Sequence, residues 1–290
     1  MRKASFGLRR VLRWVVAALV PMTVSAAEPA MLLDTASGRS VTVETAAKTL
    51  SAYDVVIFGE FHDSAPVHVA EQDLFRELAK ENGEREVLSM EMFERDTQSV
   101  LDAYLSGTVS EEDFLARSRP WPNYETDYRP LVELAKTEGL PVIAANVPRP
   151  LAAILAKSGS LDAIPSDQRQ WLPEKTYAPE GPYRERFYEA MKTVAAAGMP
   201  VHPEKIEDMY RAQCLKDDAM AESIAHFLDQ HPGRSVFHIQ GEFHSTGRLG
   251  VFAKLHALRP ALKIALITAF DGSPSEADRN AADYLLLVTR

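Results

Sequence analysis

Cysteine is nearly absent from this sequence. Cys214 is the single cysteine among 290 residues, which excludes an internal disulfide and a zinc cluster held by several cysteine thiolates. It also excludes the lipid-modified cysteine that directly follows the leader peptide of exported lipoproteins. A lone cysteine well inside a chain is typical of a small buried hydrophobic residue, so we expect Cys214 to lie in the core.

An excess of positive charge is lacking too. Lysine and arginine number 32 against 41 aspartates and glutamates, and the formal net charge is -9. The first 26 residues hold five of the basic side chains and no acidic one, so the rest of the chain is more acidic still. Because nucleic acid phosphates require a basic surface, we expect no nucleic acid partner.

A hydrophobic run long enough for a comfortable membrane span is also missing. Residues 14–24 are apolar, follow a basic start and lead into Val24-Ser25-Ala26. This is the pattern of a secretory signal peptide that is cut near Ala26. An uncleaved anchor is the alternative. We predict a mature protein of residues 27–290 that is periplasmic or otherwise exported and has no stable membrane anchor.

Hydrophobic residues nevertheless make up 46% of the chain, enough for a substantial core. Short apolar runs predict six strands, at 55–58, 87–90, 142–145, 236–239, 264–267 and 284–288. Helical spacing of apolar residues predicts helices, at 43–50, 65–82, 93–105, 111–117, 128–138 and 211–230. Strands that alternate with helices favour parallel pairing. We therefore predict one α/β domain with a largely parallel sheet flanked by helices.

Strand signals disappear between residues 148 and 231. This stretch predicts a helical insertion between the third and fourth strands. It is rich in tyrosine and methionine, at Tyr177, Tyr183, Tyr188, Met191, Met199, Met209 and Tyr210. Tyrosine oxygen and methionine sulfur can bind haem iron. On composition alone, however, such residues more typically fill helical cores.

One tetrapeptide occurs twice in the chain. Gly59-Glu60-Phe61-His62 and Gly241-Glu242-Phe243-His244 each follow a predicted strand, and Glu91 follows another. Because the carboxyl ends of parallel strands meet at one edge of a sheet, where α/β proteins collect ligands, we expect these side chains to converge on one rim.

Two imidazoles and a carboxylate are a common ligand set for zinc, manganese or iron. His62, Glu91 and His244 are therefore candidate metal ligands, and a glutamate, Glu60 or Glu242, is the candidate general base of a hydrolase. The alternative is that the histidines cap strands or helices and that the carboxylates are exposed loop residues. His68 either joins this site or lies on the surface of its helix.

The predicted helix 211–230 places two polar residues in its apolar stripe. Gln213 and Asp217 share helical spacing with Met220 and Ile224. A buried aspartate needs a partner. Asp217 either orients a group of the site or pairs with Arg149.

An ordered set of short motifs runs through the chain: Gly59-Glu60-Phe61-His62-Asp63, Glu91-Met92-Phe93, Asn146-Val147-Pro148-Arg149, Ala212-Gln213 with Asp217 and Met220-Ala221, and Gly241 with His244. In this set of motifs the sequence resembles the ChaN-like proteins, and the resemblance covers roughly residues 50–270. Those are exported haem-binding proteins linked to iron uptake, in a superfamily that includes the Tiki and TraB proteins. Two features depart from the family pattern: the lipid-anchoring cysteine is missing, and Phe243-His244-Ser245-Thr246 replaces glycine-rich surroundings.

The resemblance implies haem held between two subunits, hence a homodimer, with a tyrosine on the iron and basic or imidazole groups near the propionates. The candidate iron ligands here are Tyr183 and Tyr210, with Tyr128 as the third choice. The other candidate haem-binding residues are Arg149, Gln213 and Asp217. Lys192 and Arg211 are further candidate propionate partners. For the Tiki branch the resemblance implies a metal-dependent protease, with His62, His244 and Glu91 on the ion.

The leading hypothesis is thus an exported haem-binding protein with a role in haem or iron handling. The alternative is a metal-dependent hydrolase in which His62, Glu91 and His244 hold a divalent zinc, manganese or iron ion and Glu60 or Glu242 moves the proton. A third hypothesis is an interaction module whose rim is only structural.

Overall fold

The computed structural model describes residues 30–198 and 202–289. The predicted signal peptide, its cleavage near Ala26, and Met199 lie outside the described residues. Within them, we find no helix that combines the length and the apolar character needed to cross a membrane.

A single sheet of eight strands forms the centre of the described chain. The strands are β1 (Met31–Asp34), β2 (Arg39–Thr42), β3 (Val55–Glu60), β4 (Glu86–Glu94), β5 (Val142–Asn146), β6 (Ser235–Gly241), β7 (Ile264–Asp271) and β8 (Tyr284–Val288). Their order is β2-β1-β8-β7-β3-β6-β4-β5. The six strands that the sequence predicts pair in parallel, whereas β1 is antiparallel to both neighbours. The predicted α/β class is confirmed.

Helices cover both faces of the sheet. They are α1 (Val43–Leu50), α2 (Ala65–Asn82), α3 (Gln98–Leu105), α4 (Glu111–Ser118), α5 (Arg129–Glu138), α6 (Arg149–Ser158), α7 (Pro182–Ala196), α8 (Ile206–Gln230), α9 (Gly250–Leu258) and α10 (Glu276–Asn280). Strand alternation supplies both cores: Val56 and Phe58 of β3 pack with α1 to α5, while Val55 and Ile57 pack with α8 and α9.

The helical insertion lies between β5 and β6, as predicted, and contains α6, α7 and α8. Helix α8 packs along the sheet, and α6 and α7 pack on α8 in two smaller clusters. Cys214 is buried in one of these clusters, which confirms its expected place. Burial, together with the charge of Asp217, raises the pKa of its thiol to about 12.

No strand is predicted before residue 43, but this segment contains the short hairpin of β1 and β2, and β1 joins the sheet by pairing with β8. One predicted helix start is wrong. The helix predicted from Phe93 begins only at Gln98, because β4 continues to Glu94 past a register shift after Met90. Arg119 and Arg149 both bind the Glu94 carboxylate and stabilise this extension. Glu91 therefore lies within β4 and not beyond it.

The two copies of the tetrapeptide are in close contact at their glycines. A Cβ atom on Gly59 would lie 2.9 Å from the Cα atom of Glu242, and one on Gly241 would lie 2.6 Å from Nε2 of His62. Strands β3 and β6 are neighbours, with Glu60 opposite Gly241. Each glycine thus makes room for the other copy of the motif.

We predict that Gly59→Ala destabilises the protein by about 1–3 kcal/mol, since its methyl group meets backbone that cannot rotate away. Gly241→Ala serves as the matched control, because its methyl group meets the His62 side chain, and should cost less. Urea unfolding midpoints measure both. Equal stability of wild type and Gly59→Ala would contradict the close approach.

Candidate functional site

The ends of β3, β6 and β4 lie side by side because these strands are consecutive in the sheet. Glu60 is the last residue of β3, His244 follows β6 in a short 3-10 turn, and Glu91 lies in β4 where its pairing with β6 ends. We call this edge, with Glu60, His62, Glu91 and His244, the rim. The structure thus brings the expected groups to one edge.

In the first copy of the motif, glutamate and histidine bond to each other. Nδ1 of His62 lies 2.5 Å from Oε1 of Glu60, which also accepts a hydrogen bond of 2.6 Å from the Tyr128 hydroxyl. The His62 ring is 40% exposed and packs edge-on against Trp121. Burial lowers the pKa of His62, but the Glu60 hydrogen bond and the charge of Glu91 outweigh it and raise the pKa overall.

In the second copy, the histidine lies between two other carboxylates. Nδ1 of His244 is 2.5 Å from Oδ1 of Asp217, and Nε2 is 3.2 Å from Oε1 of Glu91. Burial opposes the charge of His244, yet Glu91 and Asp217 raise its pKa to about 10. Burial likewise opposes ionisation of Glu91, but His244 lowers the pKa of Glu91 overall. The arrangement is a buried imidazolium with two carboxylates.

This geometry distinguishes between the two alternatives for Asp217. The aspartate contacts His244, whereas Arg149 donates to Oε1 of Glu94 and to the carbonyl of Arg119. The expectation of an Asp217–Arg149 pair is wrong, because Arg149 stabilises the end of β4.

The glutamates of the two copies have different surroundings. Glu60 is still part of β3 and points toward α2, while Glu242 starts the 3-10 turn and binds Arg186 of α7 through Oε2, at 2.5 Å. Thr246 donates to the same oxygen of Glu242. Identical sequence therefore gives two different local sites, because one copy remains in the strand and the other leaves it.

The ligand set expected for a metal, His62, Glu91 and His244, is not preassembled. Among the described residues, two other groups have ligand atoms that all lie within 4.8 Å of one another: Glu60, His68 and Glu71, and Glu174, Glu222 and His226. Both ring nitrogens of His244 already contact carboxylates. The geometry does not favour the hydrolase alternative.

The alternative that His68 lies on the surface of its helix is wrong. It is 2% exposed, and its Nδ1 lies 3.1 Å from Oε2 of Glu71. Burial, followed by the charge of Glu60, raises the pKa of Glu71. Sequence reasoning missed Glu71, although its spacing of three from both His68 and the buried Leu74 was the available signal.

Four of the candidate haem residues lie together beneath the rim, in the interior. Tyr183 and Tyr210 are fully buried, with ring centroids 6.0 Å apart. The Tyr210 hydroxyl donates to the carbonyl of Pro179, while burial and the charge of Asp217 raise the pKa of Tyr183. Gln213 lies 3.2 Å from both ring nitrogens of His244.

The remaining haem candidates are dispersed. Arg149 binds Glu94, Lys192 pairs with Glu189, Arg211 donates to the carbonyl of Gly159, and the Tyr128 hydroxyl bonds Glu60. Each of these cations already has a partner in the described part of the chain. The resemblance alone therefore did not select residues that share one surface.

Tyr177 belongs to the tyrosine-rich insertion but was not among the candidate iron ligands that the resemblance implies. Tyr177 is 67% exposed and borders a groove of about 400 Å³. The side chains that line this groove include Lys175, Lys254, Leu258 and Arg259. Three acidic residues, Glu174, Asp218 and Glu222, line it as well. Lys254 pairs with Asp218, and Arg259 pairs with Asp229. The groove therefore combines a phenol, an apolar residue and charges of both signs at the surface.

Comparison with known proteins extends this description. The family model described as haem-binding uptake, Tiki superfamily, ChaN matches residues 46–255. The fold is similar to a structure of ChaN from Campylobacter jejuni with cofacially bound haem, with a TM-score of 0.69, 17% identity and coverage of 89% of this chain and 96% of that one. It is also similar to a mutant of the erythromycin esterase EreC in its open conformation, with a TM-score of 0.50, 13% identity and coverage of 83% and 76%. No curated protein sequence matches significantly. At these identities the structural likeness shows the fold alone.

The buried charges predict a pH dependence of stability. His244 has a raised pKa in the folded protein and about 6.5 when unfolded, so its contribution is present below that unfolded value and is lost as the pH rises toward 10. We predict that His244→Gln lowers the free energy of unfolding by about 3 kcal/mol at neutral pH. The difference from wild type should shrink as the pH approaches 10.

Urea unfolding at a series of pH values measures this difference. His256→Gln is the matched control, because His256 is an exposed histidine on α9. A stability difference for His244→Gln that is small and independent of pH would contradict the buried imidazolium.

Proposed function

The chain belongs to the haem-binding uptake family of the Tiki superfamily that includes ChaN, and from that premise we propose that it binds haem and acts in haem or iron handling outside the cytoplasm. The observation that carries the proposal is the extent of the family match. Residues 46–255 run from α1 into α9 and include the rim and the inserted helices.

Haem makes three demands on a protein surface. Its iron takes an axial ligand such as a tyrosine oxygen, its porphyrin takes apolar contacts, and its propionates take cations. The groove beside Tyr177 supplies all three kinds of group. Its phenol is exposed, Leu258 is 40% exposed, and Lys175 lies along the same groove, as does Arg259, which also pairs with Asp229.

We propose Tyr177 as the iron ligand, in preference to Tyr183 and Tyr210. A porphyrin is too large to enter the interior beneath the rim without displacing helices α7 and α8. The Tyr210 hydroxyl is also committed to Pro179. Tyr177 needs no such rearrangement. Nζ of Lys254, which pairs with Asp218, lies 5.9 Å from the centroid of the Tyr177 ring.

A second copy of the chain completes this proposal. The groove, at about 400 Å³, lies near the lower end of the range of about 300–1,000 Å³ that is usual for ligand pockets, and it is open to the surface on the side of Tyr177, which is 67% exposed. We therefore propose that haem loading joins two subunits, which cover the exposed face of the ligand. The predicted homodimer would then form with haem and not before it.

We predict that haemin shifts its Soret band saturably on addition of this protein, and that Tyr177→Phe weakens binding about 10-fold or more, because the iron loses an oxygen ligand. Tyr210→Phe is the matched control, since it removes a buried hydroxyl, and should bind as wild type. A stoichiometric titration followed by absorbance measures both affinities, and sedimentation of the same samples reports the dimer.

Three results would count against this proposal. No saturable shift would reject haem binding itself. Normal binding by Tyr177→Phe with weak binding by Tyr183→Phe would move the ligand to the interior. Saturated protein that sediments as a monomer would reject the shared site.

Export is the second part of the proposed function and depends on the first 26 residues. We predict that cells expressing the whole sequence accumulate a periplasmic protein whose first residue is Ala27, because the signal pattern ends at Ala26. Fractionation followed by intact mass measurement tests this. A cytoplasmic protein that keeps residues 1–26 would contradict export.

A further inference from the structure

A second polar cluster lies behind the rim, between β3 and α2. It consists of Glu60, His68 and Glu71, all of them at least 98% buried. Nδ1 of His68 is 3.1 Å from Oε2 of Glu71 and 3.4 Å from Oε2 of Glu60. Two carboxylates and an imidazole without access to water require a balancing positive charge.

Both ring nitrogens of His68 face acceptors. Its Nε2 lies 3.2 Å from the carbonyl oxygen of His62 and 3.5 Å from Oδ2 of Asp127. An N–H at Nε2 satisfies both acceptors, as it does in histidines that bind a metal through their other nitrogen. In a neutral ring of this tautomer the lone pair of Nδ1 faces the carboxylates of Glu60 and Glu71, whereas in an imidazolium Nδ1 donates to them.

Two oxygens of the cluster also lack a hydrogen-bond donor. Oε2 of Glu60 and Oε1 of Glu71 are buried and accept no hydrogen bond from any group in the described part of the chain. Buried carboxylate oxygens are normally satisfied. Both oxygens belong to carboxylates that, with His68, form one of the groups of potential metal ligands.

The separations match those around a metal ion. Nitrogen and oxygen ligands that lie about 2.0–2.2 Å from a zinc ion are about 3.0–3.5 Å from one another. The two contacts of His68 Nδ1, at 3.1 and 3.4 Å, fall in that range. An ion could therefore bind with only small movements of the side chains.

A supporting layer holds the three side chains in place. The Tyr128 hydroxyl donates to Oε1 of Glu60, and Asn123 donates to the carbonyl of His62 and to Asp127. Asp127 and Tyr128 belong to a π-helical turn, Tyr124–Tyr128. Such turns are rare and occur frequently at functional sites.

We propose that Glu60, His68 and Glu71 bind a divalent transition-metal ion, such as Zn²⁺ or Mn²⁺. The imidazole ligand favours these ions over Mg²⁺ and Ca²⁺. The site is separate from the His62, Glu91 and His244 set and from the Tyr177 groove, and does not require haem. The competing explanation is a proton shared between the carboxyl groups of Glu60 and Glu71.

The variant Glu71→Gln separates these explanations. An amide keeps the shape of a protonated carboxyl and can donate to Glu60, so a shared proton predicts unchanged or higher stability. A metal site instead loses a ligand. We expect the chelator-treated, haem-free wild type to bind one equivalent of Zn²⁺ or Mn²⁺ and Glu71→Gln to bind it at least about 10-fold more weakly.

Calorimetric titration and elemental analysis measure binding, and the thermal midpoint with and without metal reports its effect on folding. His226→Ala controls for the more exposed group with Glu174 and Glu222. This variant should keep the affinity of wild type. No metal binding by wild type, or equal binding by Glu71→Gln, would overturn the proposal.

A spectroscopic measurement keeps the test valid if Glu71→Gln does not fold. X-ray absorption of the zinc-loaded wild type should show one imidazole among ligands at about 2.0–2.2 Å. Two imidazoles would place the ion on His62 and His244 and would also overturn the proposal. Neither measurement contains haem, so a failure here is distinct from a failure of haem binding.

Discussion

The parallel pairing of β3 with β6 is the constraint on which the rest of the site depends. The two strands end in the same tetrapeptide, and their register sets Glu60 opposite Gly241. The two segments approach this closely because both motifs begin with glycine, which has no Cβ atom to meet the other segment. The pairing places His62 and His244 at one edge, and neighbouring β4 adds Glu91.

Buried charged groups that pair with one another make up most of the rim. His244 is enclosed by Glu91 and Asp217, and Glu60 binds both His62 and Tyr128. Ion pairs withdrawn from water contribute little net stability unless each charge has its partners, so removal of one member leaves the others uncompensated. The rim is thus a set of mutually dependent groups, which explains why single residues there have large expected effects.

The two proposed ligand sites lie apart in this molecule. The buried cluster of Glu60, His68 and Glu71 is the proposed ion site, whereas the surface groove beside Tyr177 is the proposed haem site. The first lies behind the rim and the second lies beside α8 and α9. A protein that handles haem or iron would in this way separate a small structural or catalytic ion from its cargo.

The order of elements and much of the rim could be predicted from the sequence alone. Local patterns determined the six parallel strands, the start of α2 at Ala65 and the insertion before β6, because apolar periodicity and helix-start residues act over short distances. The repeated motif also led us to expect that His62 and His244 converge on one rim, although the order of the strands was not predicted. The family resemblance made haem the leading hypothesis, because the tyrosine- and methionine-rich composition of the insertion is by itself more typical of a helical core.

Only the tertiary structure decided which partners these residues have. Glu60 and Glu242 share a motif but differ in their contacts, Arg149 binds Glu94 and not Asp217, and Tyr177 is exposed while Tyr183 and Tyr210 are not. Whether His68 lies on the surface could not be decided from the sequence, because Asp127 and Tyr128, which contact it, are about 60 positions away. Burial and pairing result from contacts between distant segments, and the order of residues along the chain does not encode them locally.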